Sequence, residues 1–409
     1  MISPTDRNIL RPLAGQIREI AEAPEMAERR RLWTALKDLR AERPMILFET
    51  ASIEDYVAES ELTCETAETR SLERLFRHTI RHATEVGDDL LVASENRLGW
   101  VIKSSGFGVE SKHRTAEDGR GGSLAGVVEE HPVKTPDDLD RLRPATWRVD
   151  RAAVERLQEE REAAFGDLLP CRMRGLPKVQ VGVMPLALIG NDNLMMWPYD
   201  HPEAMHRLMA FMRDQSAAYL DFLERENLLG FNNNESIIGS GSPGCTTSLP
   251  GPECGRAPRL QDVWIRTEAQ ETTQVSPEMF AEFFLPYVAP APRRGGLVYY
   301  GCCEQLHDRI DAIRQAIPQT RAVSVSPWSN LEQMAAKLGR TCVFSRKPSP
   351  GPISVDRADW KALAADVDHT LQGARGCNLE FIFRDVYRIG NDRSRLRQWT
   401  DLVRKRIGV

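Results

Sequence analysis

The sequence predicts a (β/α)₈ barrel preceded by a helical extension, from three observations. Short apolar runs alternate with amphipathic helical stretches along most of the chain. Eight such runs can be counted. The 409 residues suit one barrel with additions rather than a string of small domains.

Residues 1–43 read as the helical extension and 44–409 as the barrel domain. Ile9, Leu10, Leu13, Ile17 and Ile20 recur at three- and four-residue steps, and residues 26–39 continue amphipathically. After Pro44, the run 45–48 ending at Glu49 reads as the first buried strand. Further strands are expected at 90–93, 179–183, 228–231, 297–300, 322–325, 342–344 and 379–383, with Val263-Trp264-Ile265 as a ninth contender. Alternation sustained over this length implies a parallel sheet with helices outside it. Two glycine-rich stretches, 104–122 and 239–258, interrupt the pattern; both read as long loops, suited to lids, binding loops or surface insertions.

Composition narrows the function classes. Fifty-four basic and 59 acidic side chains give a net charge of -5, spread along the chain, which speaks against a nucleic-acid surface or a basic membrane patch. There is no apolar run of about 18 residues, and Met1–Asp6 has no signal-peptide character. The expectation is a cytoplasmic protein that handles a small molecule. Eight cysteines in a chain with a large core read as free thiols rather than as a disulfide framework.

In a barrel, polar side chains at the C-terminal strand ends face the active-site mouth. The candidates lie at Glu49, Ser94-Glu95-Asn96, Asn232-Asn233-Asn234-Glu235, Gly301-Cys302-Cys303-Glu304, Ser326, Ser345-Arg346-Lys347 and Arg384-Asp385. The adjacent thiols Cys302 and Cys303 beside Glu304 are the most specific: thiolates are soft zinc ligands and competent nucleophiles, although two small residues packing a tight turn would look the same. Glu235, with Asn233 beside it, could hold a polar substrate or supply a general base. Arg266, Glu268 and Gln270 would share one face of an extended segment. Arg346, Lys347 and Arg384 suit a substrate carboxylate or phosphate, with Asp385 adjoining; an ordinary salt bridge at Arg384 explains that residue equally well. His307, one helical turn beyond Cys303, is a further ligand candidate.

The order of features resembles the uroporphyrinogen decarboxylase superfamily. The residues that carry the resemblance are 275–287, the strand Leu297–Cys303 after them, Ser324–Trp328, and the segment 191–202. It implies a (β/α)₈ barrel with its site at the C-terminal mouth, often as a homodimer. The stretch 49–55 after the first strand lacks the arginine-rich motif of the true decarboxylases, which disfavours porphyrinogen decarboxylation, and the methyltransferase branch is closer because its zinc-holding His-x-Cys strand end matches Val298–Cys303. That branch implies zinc at the strand end and methyl transfer to or from a corrinoid (cobalamin) carried by a partner protein. Tyr300 stands where the branch has a histidine, and Arg384-Asp385 where a second cysteine is expected; Cys377 precedes the last strand.

The function expected is therefore a methyltransferase moving a methyl group between a small anionic substrate and a corrinoid carrier. Cys302 and Cys303 would hold zinc, Glu235 or Asp385 would handle protons, and Asn233, Glu268, Arg346, Lys347 and Arg384 would bind substrate. The alternative is a metal-independent decarboxylase or lyase acting on a small carboxylated compound, in which the strand-end cations stabilise developing negative charge.

Overall fold

A computed structural model of the chain describes all residues except Met1, 117–124, Leu176, Gln180 and Arg256. Part of the predicted loop 104–122 thus lies outside the described residues. The N-terminal segment forms two helices, Pro4–Glu22 and Pro24–Lys37. The main sheet has seven parallel strands: β1 (Met45–Phe48), β2 (Lys178–Val179), β3 (Trp264–Thr267), β4 (Leu297–Tyr300), β5 (Thr320–Val325), β6 (Val343–Arg346) and β7 (Asn378–Phe383). Their order is β1-β7-β6-β5-β4-β3-β2. This is the strand sequence of a barrel opened along one seam, with β1 and β2 as the edges. Of the eight strands expected to close on themselves, the sheet shows seven parallel strands among the described residues, with no ladder joining its two edges there.

Two predicted strands are not strands, for identifiable reasons. Residues 90–93 would flank β1, but that edge is already occupied. Asp89 Oδ2 accepts from the Ile46 N–H at 2.9 Å, Asp88 Oδ2 accepts from the Phe48 N–H at 2.8 Å, and the Asp89 N–H donates to the Ile46 carbonyl at 2.8 Å. Two carboxylates cap donors that a neighbouring strand would otherwise take. Residues 228–231 also form no strand. There Asn232 pairs with the start of β3 through its side chain, donating to the Trp264 carbonyl and accepting from its N–H, both at 2.9 Å. The ninth contender is the one that forms, as β3.

The sheet is strongly curved. Adjacent strands lie about 4.8 Å apart, so on a flat sheet the ends of β4 and β7, three strands apart, would be separated by roughly 14 Å. Instead Asp385 Oδ2, just past β7, is 3.7 Å from Cys303 Sγ, just past β4, a contact that two such short side chains could not make across a flat sheet. The convex face packs Ile46, Phe48, Val298, Val323, Phe344, Phe381 and Phe383 against the helices, including Leu396 and Trp399. The concave face carries Met45, Leu47, Trp264, Tyr299, Val343 and Ile382, joined by Trp33 and Leu36 from the second helix.

A hairpin fills the hollow. Residues Ile237–Gly239 pair with Ser242–Pro243, overlapping the start of the stretch 239–258 that the sequence marks as a long loop. A Cβ on Gly239 would lie 2.3 Å from the Tyr299 ring and one on Gly241 2.5 Å from Ile382 Cγ2, so only glycine lets the turn enter. Ser242 is anchored beneath the turn. Its hydroxyl donates to Glu380 Oε1 at 2.7 Å, while Lys37 Nζ reaches Glu380 Oε2 at 2.6 Å and also contacts Ser242; all three residues are fully buried.

Removing one member of a buried ion pair leaves the other charge uncompensated, at a cost of about 3–5 kcal/mol. Lys37→Met should lose stability of that order in urea unfolding, and Lys37→Met combined with Glu380→Leu should recover much of it. A loss under ~1 kcal/mol for the single variant would show that the pair does not hold the hairpin.

Candidate functional site

The strand period of two decides which side chains enter the hollow. Along β6 the residues Val343 and Ser345 face inward, and Lys347 continues that row. Arg346 faces the opposite way: it pairs with Asp366 of helix Trp360–Gly373 at 2.6 Å and donates to the Ser326 carbonyl at 3.0 Å. The expectation that Arg346 binds substrate is corrected; it ties a helix to the sheet.

At the C-terminal end of the sheet, β4 and β7 bring five groups together. Gly301 has φ of +98° and turns the chain so that Cys302 and Cys303 place their sulphurs 3.6 Å apart. Cys302 is 9% exposed, whereas Cys303 is open to solvent. Glu304 points back under the turn, accepting from the Cys302 N–H at 2.7 Å and the Ala269 N–H at 3.2 Å, and burial raises its pKa above the ordinary carboxylate value. Asp385, with φ of +61°, turns sharply after β7, and its Oδ2 lies 3.7 Å from Cys303 Sγ. Arg384 joins these parts, with Nε 3.0 Å from Glu49 Oε2 and 3.2 Å from Asp385 Oδ1.

The two thiols are electrostatically unequal. The Cys303 S–H is the largest influence lowering Cys302; burial and Glu268 oppose it, while the Arg384 and Arg266 guanidiniums add to it, and Cys302 ends below an ordinary thiol. Cys303, beside the Cys302 sulphur, buried in part and next to Asp385, is pushed up. The pair therefore gives up its first proton more readily than an ordinary thiol, with the Arg384 guanidinium nearest the Cys302 sulphur, and holds the second more tightly.

A second group lies deeper in the hollow. Lys347 Nζ contacts Ser345 Oγ at 2.6 Å and Tyr299 Oη at 3.0 Å. Burial lowers the Lys347 ammonium to about 7, with Glu380 opposing the shift and Arg384 and Lys37 adding to it. Tyr299 is raised, chiefly by burial. On the neighbouring flank, Glu268 bridges Arg266 at 2.8 Å and Lys178 at 3.4 Å.

Of the residues singled out in the sequence, Cys302, Cys303, Arg384 and Asp385 meet at one place, with Lys347 and Glu268 on the same concave side. Glu235 and Asn233 do not join them. Asn232 fixes their segment to the start of β3, the opposite end of the sheet. There Glu235 pairs with Arg97 at 2.9 Å and Arg30 at 3.8 Å, and Asn233 Nδ2 donates to the Leu249 carbonyl at 2.7 Å. His307 accepts from the Asn330 N–H at 3.3 Å. Glu49, a strand-end candidate in the sequence, and Tyr299, not singled out there, belong to the inward-facing set; strand parity with Leu297 marks Tyr299.

The sulphur separation is close to what two thiolates on one tetrahedral zinc would show, roughly 3.7 Å from Zn–S bonds of about 2.3 Å. Yet among the described residues no three His, Cys, Asp or Glu side chains are grouped to hold a metal ion. A guanidinium also stands against the Cys302 sulphur, where a second cation would be repelled. The residues as arranged do not fit a zinc centre.

Lys347 gives a pH signature. Its folded value of about 7 lies below that of a free lysine, so in the alkaline range above it the unfolded chain binds the extra proton. Stability should rise with pH from about 7 towards 10, and Lys347→Met should flatten that rise in urea unfolding at the two ends. Parallel pH dependences for the two proteins would contradict the assignment.

No protein-family profile matches the chain, and no curated protein matches it. Among the described residues no helix is long and apolar enough to cross a membrane. One similar solved structure is a methyltransferase from Methanosarcina mazei, 12% identical over 92% of this chain and 97% of that one, with a TM-score of 0.48. That degree of likeness transfers neither a reaction nor a residue role to this chain.

Proposed function

We propose that the chain is a methyltransferase for a small anionic substrate, with the Cys302 thiolate as the group that takes the methyl. The observation that carries this reading is the lowered Cys302 thiol between the Cys303 S–H and the Arg384 guanidinium. A thiolate is a soft nucleophile suited to attack on a saturated carbon. Its lone pair would form the new S–C bond as the bond from methyl to the substrate heteroatom breaks, the heteroatom leaving with that electron pair. Arg384 would hold the substrate's negative charge, exchanging part of its contact with Glu49 and Asp385. Lys347, titrating near neutrality beneath the mouth, would supply or store a proton. The methyl group would then leave for a corrinoid acceptor on a partner protein, the Cys302 sulphur keeping the electron pair of the broken S–C bond; the support for that step is the sequence resemblance. Zinc has no part in this scheme.

A second reading has its own observation. The inward Arg266, Lys178 and Arg384 form a cationic arc around Glu268 and Glu49 that would also stabilise the charge developed in a metal-free decarboxylation.

The two readings part at Cys302. With a panel of small carboxylates bearing O-, N- or S-methyl groups, mass spectrometry should find one added methyl on the Cys302 peptide. Cys302→Ser should lower turnover by roughly 10² or more and Cys303→Ser by about tenfold. Turnover undiminished in Cys302→Ser excludes the thiolate role, and carbon dioxide release in that variant would establish the decarboxylase.

A further inference from the structure

Away from the thiols, a cavity of about 440 Å³ opens between the pair of strands Ile102–Ser104 and Trp147–Val149 and the helix Pro202–Arg225. Its volume falls in the range of roughly 300–1,000 Å³ typical of small-ligand sites. Its lining, among the described residues, includes Phe107, Trp147, Met184 and Tyr219, together with Lys178 and Gln215. The Trp147 and Tyr219 rings stand 5.2 Å apart at 55°, presenting angled faces rather than one closed stack. Gln215 is held in place, its Oε1 accepting from the Ala145 N–H at 2.7 Å.

The charge in this chamber has a definite origin. Lys178 lies in β2, in register with Arg266 of β3, so both side chains project from the same face of the sheet. Lys178 is 41% exposed and its ammonium is 3.4 Å from Glu268, a looser contact than the 2.8 Å between Glu268 and Arg266. The Arg266 Nε is buried without a hydrogen-bond partner. The loosely held ammonium of Lys178 is the charged group on this wall, and it leaves the wall able to accept an anionic oxygen.

We propose that this chamber binds a planar aromatic carboxylate, with its ring against Trp147, Tyr219 and Phe107 and its carboxylate on Lys178. Aromatic walls favour a flat ring through edge and face contacts. The single accessible ammonium suits a monoanion better than a phosphate ester, which would call for a larger cluster of donors. The chamber shares Lys178 with the cationic arc of the decarboxylase reading, but its occupancy does not require the Cys302 thiolate.

The test is calorimetric titration of the full chain with three probes. Benzoate carries ring and charge, benzamide has the ring without the charge, and cyclohexanecarboxylate has the charge without planarity. Benzoate should bind at least about tenfold more tightly than either of the others, the equivalent of ~1.4 kcal/mol. Lys178→Met should bring benzoate down to the level of benzamide, and Tyr219→Leu should weaken both aromatic probes alike, with circular dichroism confirming that each variant is folded. Cys302→Ser should leave benzoate binding unchanged, so that the transfer reaction and this site can fail separately. No benzoate binding, equal binding of cyclohexanecarboxylate, or an undiminished benzoate preference in Lys178→Met overturns the proposal.

Discussion

The buried contact between Lys37 and Glu380 is the constraint on which the rest of the molecule turns. Lys37 ends the second helix, Glu380 lies within β7, and Ser242 sits on the hairpin that enters the hollow between them. Charges this deep are tolerated only when paired and hydrogen-bonded, and here one carboxylate serves an ammonium and a hydroxyl at once. Glu380 stays below the ordinary carboxylate value: burial opposes its charge and is outweighed by Lys37 and Lys347. The pair thereby fixes three separate pieces of chain to one point on the concave face.

Curvature and chemistry follow from that arrangement. A flat sheet would keep the ends of β4 and β7 too far apart for Asp385 to reach Cys303, whereas around a hairpin-filled hollow they meet. Polar strand ends converge there, partly exposed at the mouth and buried beneath it at Lys347 and Glu304, so the deeper charges act strongly on their neighbours. Lys347 is driven towards neutrality while Cys302 is drawn towards its thiolate. One buried basic residue and one activated sulphur thus share a concavity whose remaining cations suit an anion.

What could be read in the sequence follows the same logic. The parallel α/β character was visible because strands buried on both faces are apolar runs, as at 297–300 and 379–383, and the thiol turn stood out because Gly301 and two cysteines end such a run. Lys347 and Arg346 are neighbours, and strand parity separates them: the row through Val343 and Ser345 faces inward, sending Arg346 to Asp366 on a helix. That distinction was present in the sequence once the strand's frame was fixed. Other features depend on contacts between residues far apart in the chain. Asp88 and Asp89 cap the edge of β1, Asn232 imitates a strand partner with its side chain, and Lys37 finds its partner 343 residues later. No local periodicity encodes these, which is why Glu235 was placed at the wrong end of the sheet and a barrel seam was expected where carboxylates stand.

The account rests most directly on the ionisation of Cys302, and thiol alkylation followed against pH measures it. Peptide-resolved labelling should show Cys302 ionising below the value of about 8.5 for a free cysteine, with Cys303 unreactive over the same range. Arg384→Gln and Cys303→Ser should each shift the Cys302 profile upward, lowering its rate near pH 7 by roughly tenfold for each unit moved. A Cys302 profile at or above that of a free thiol, unmoved by either substitution, would contradict the account.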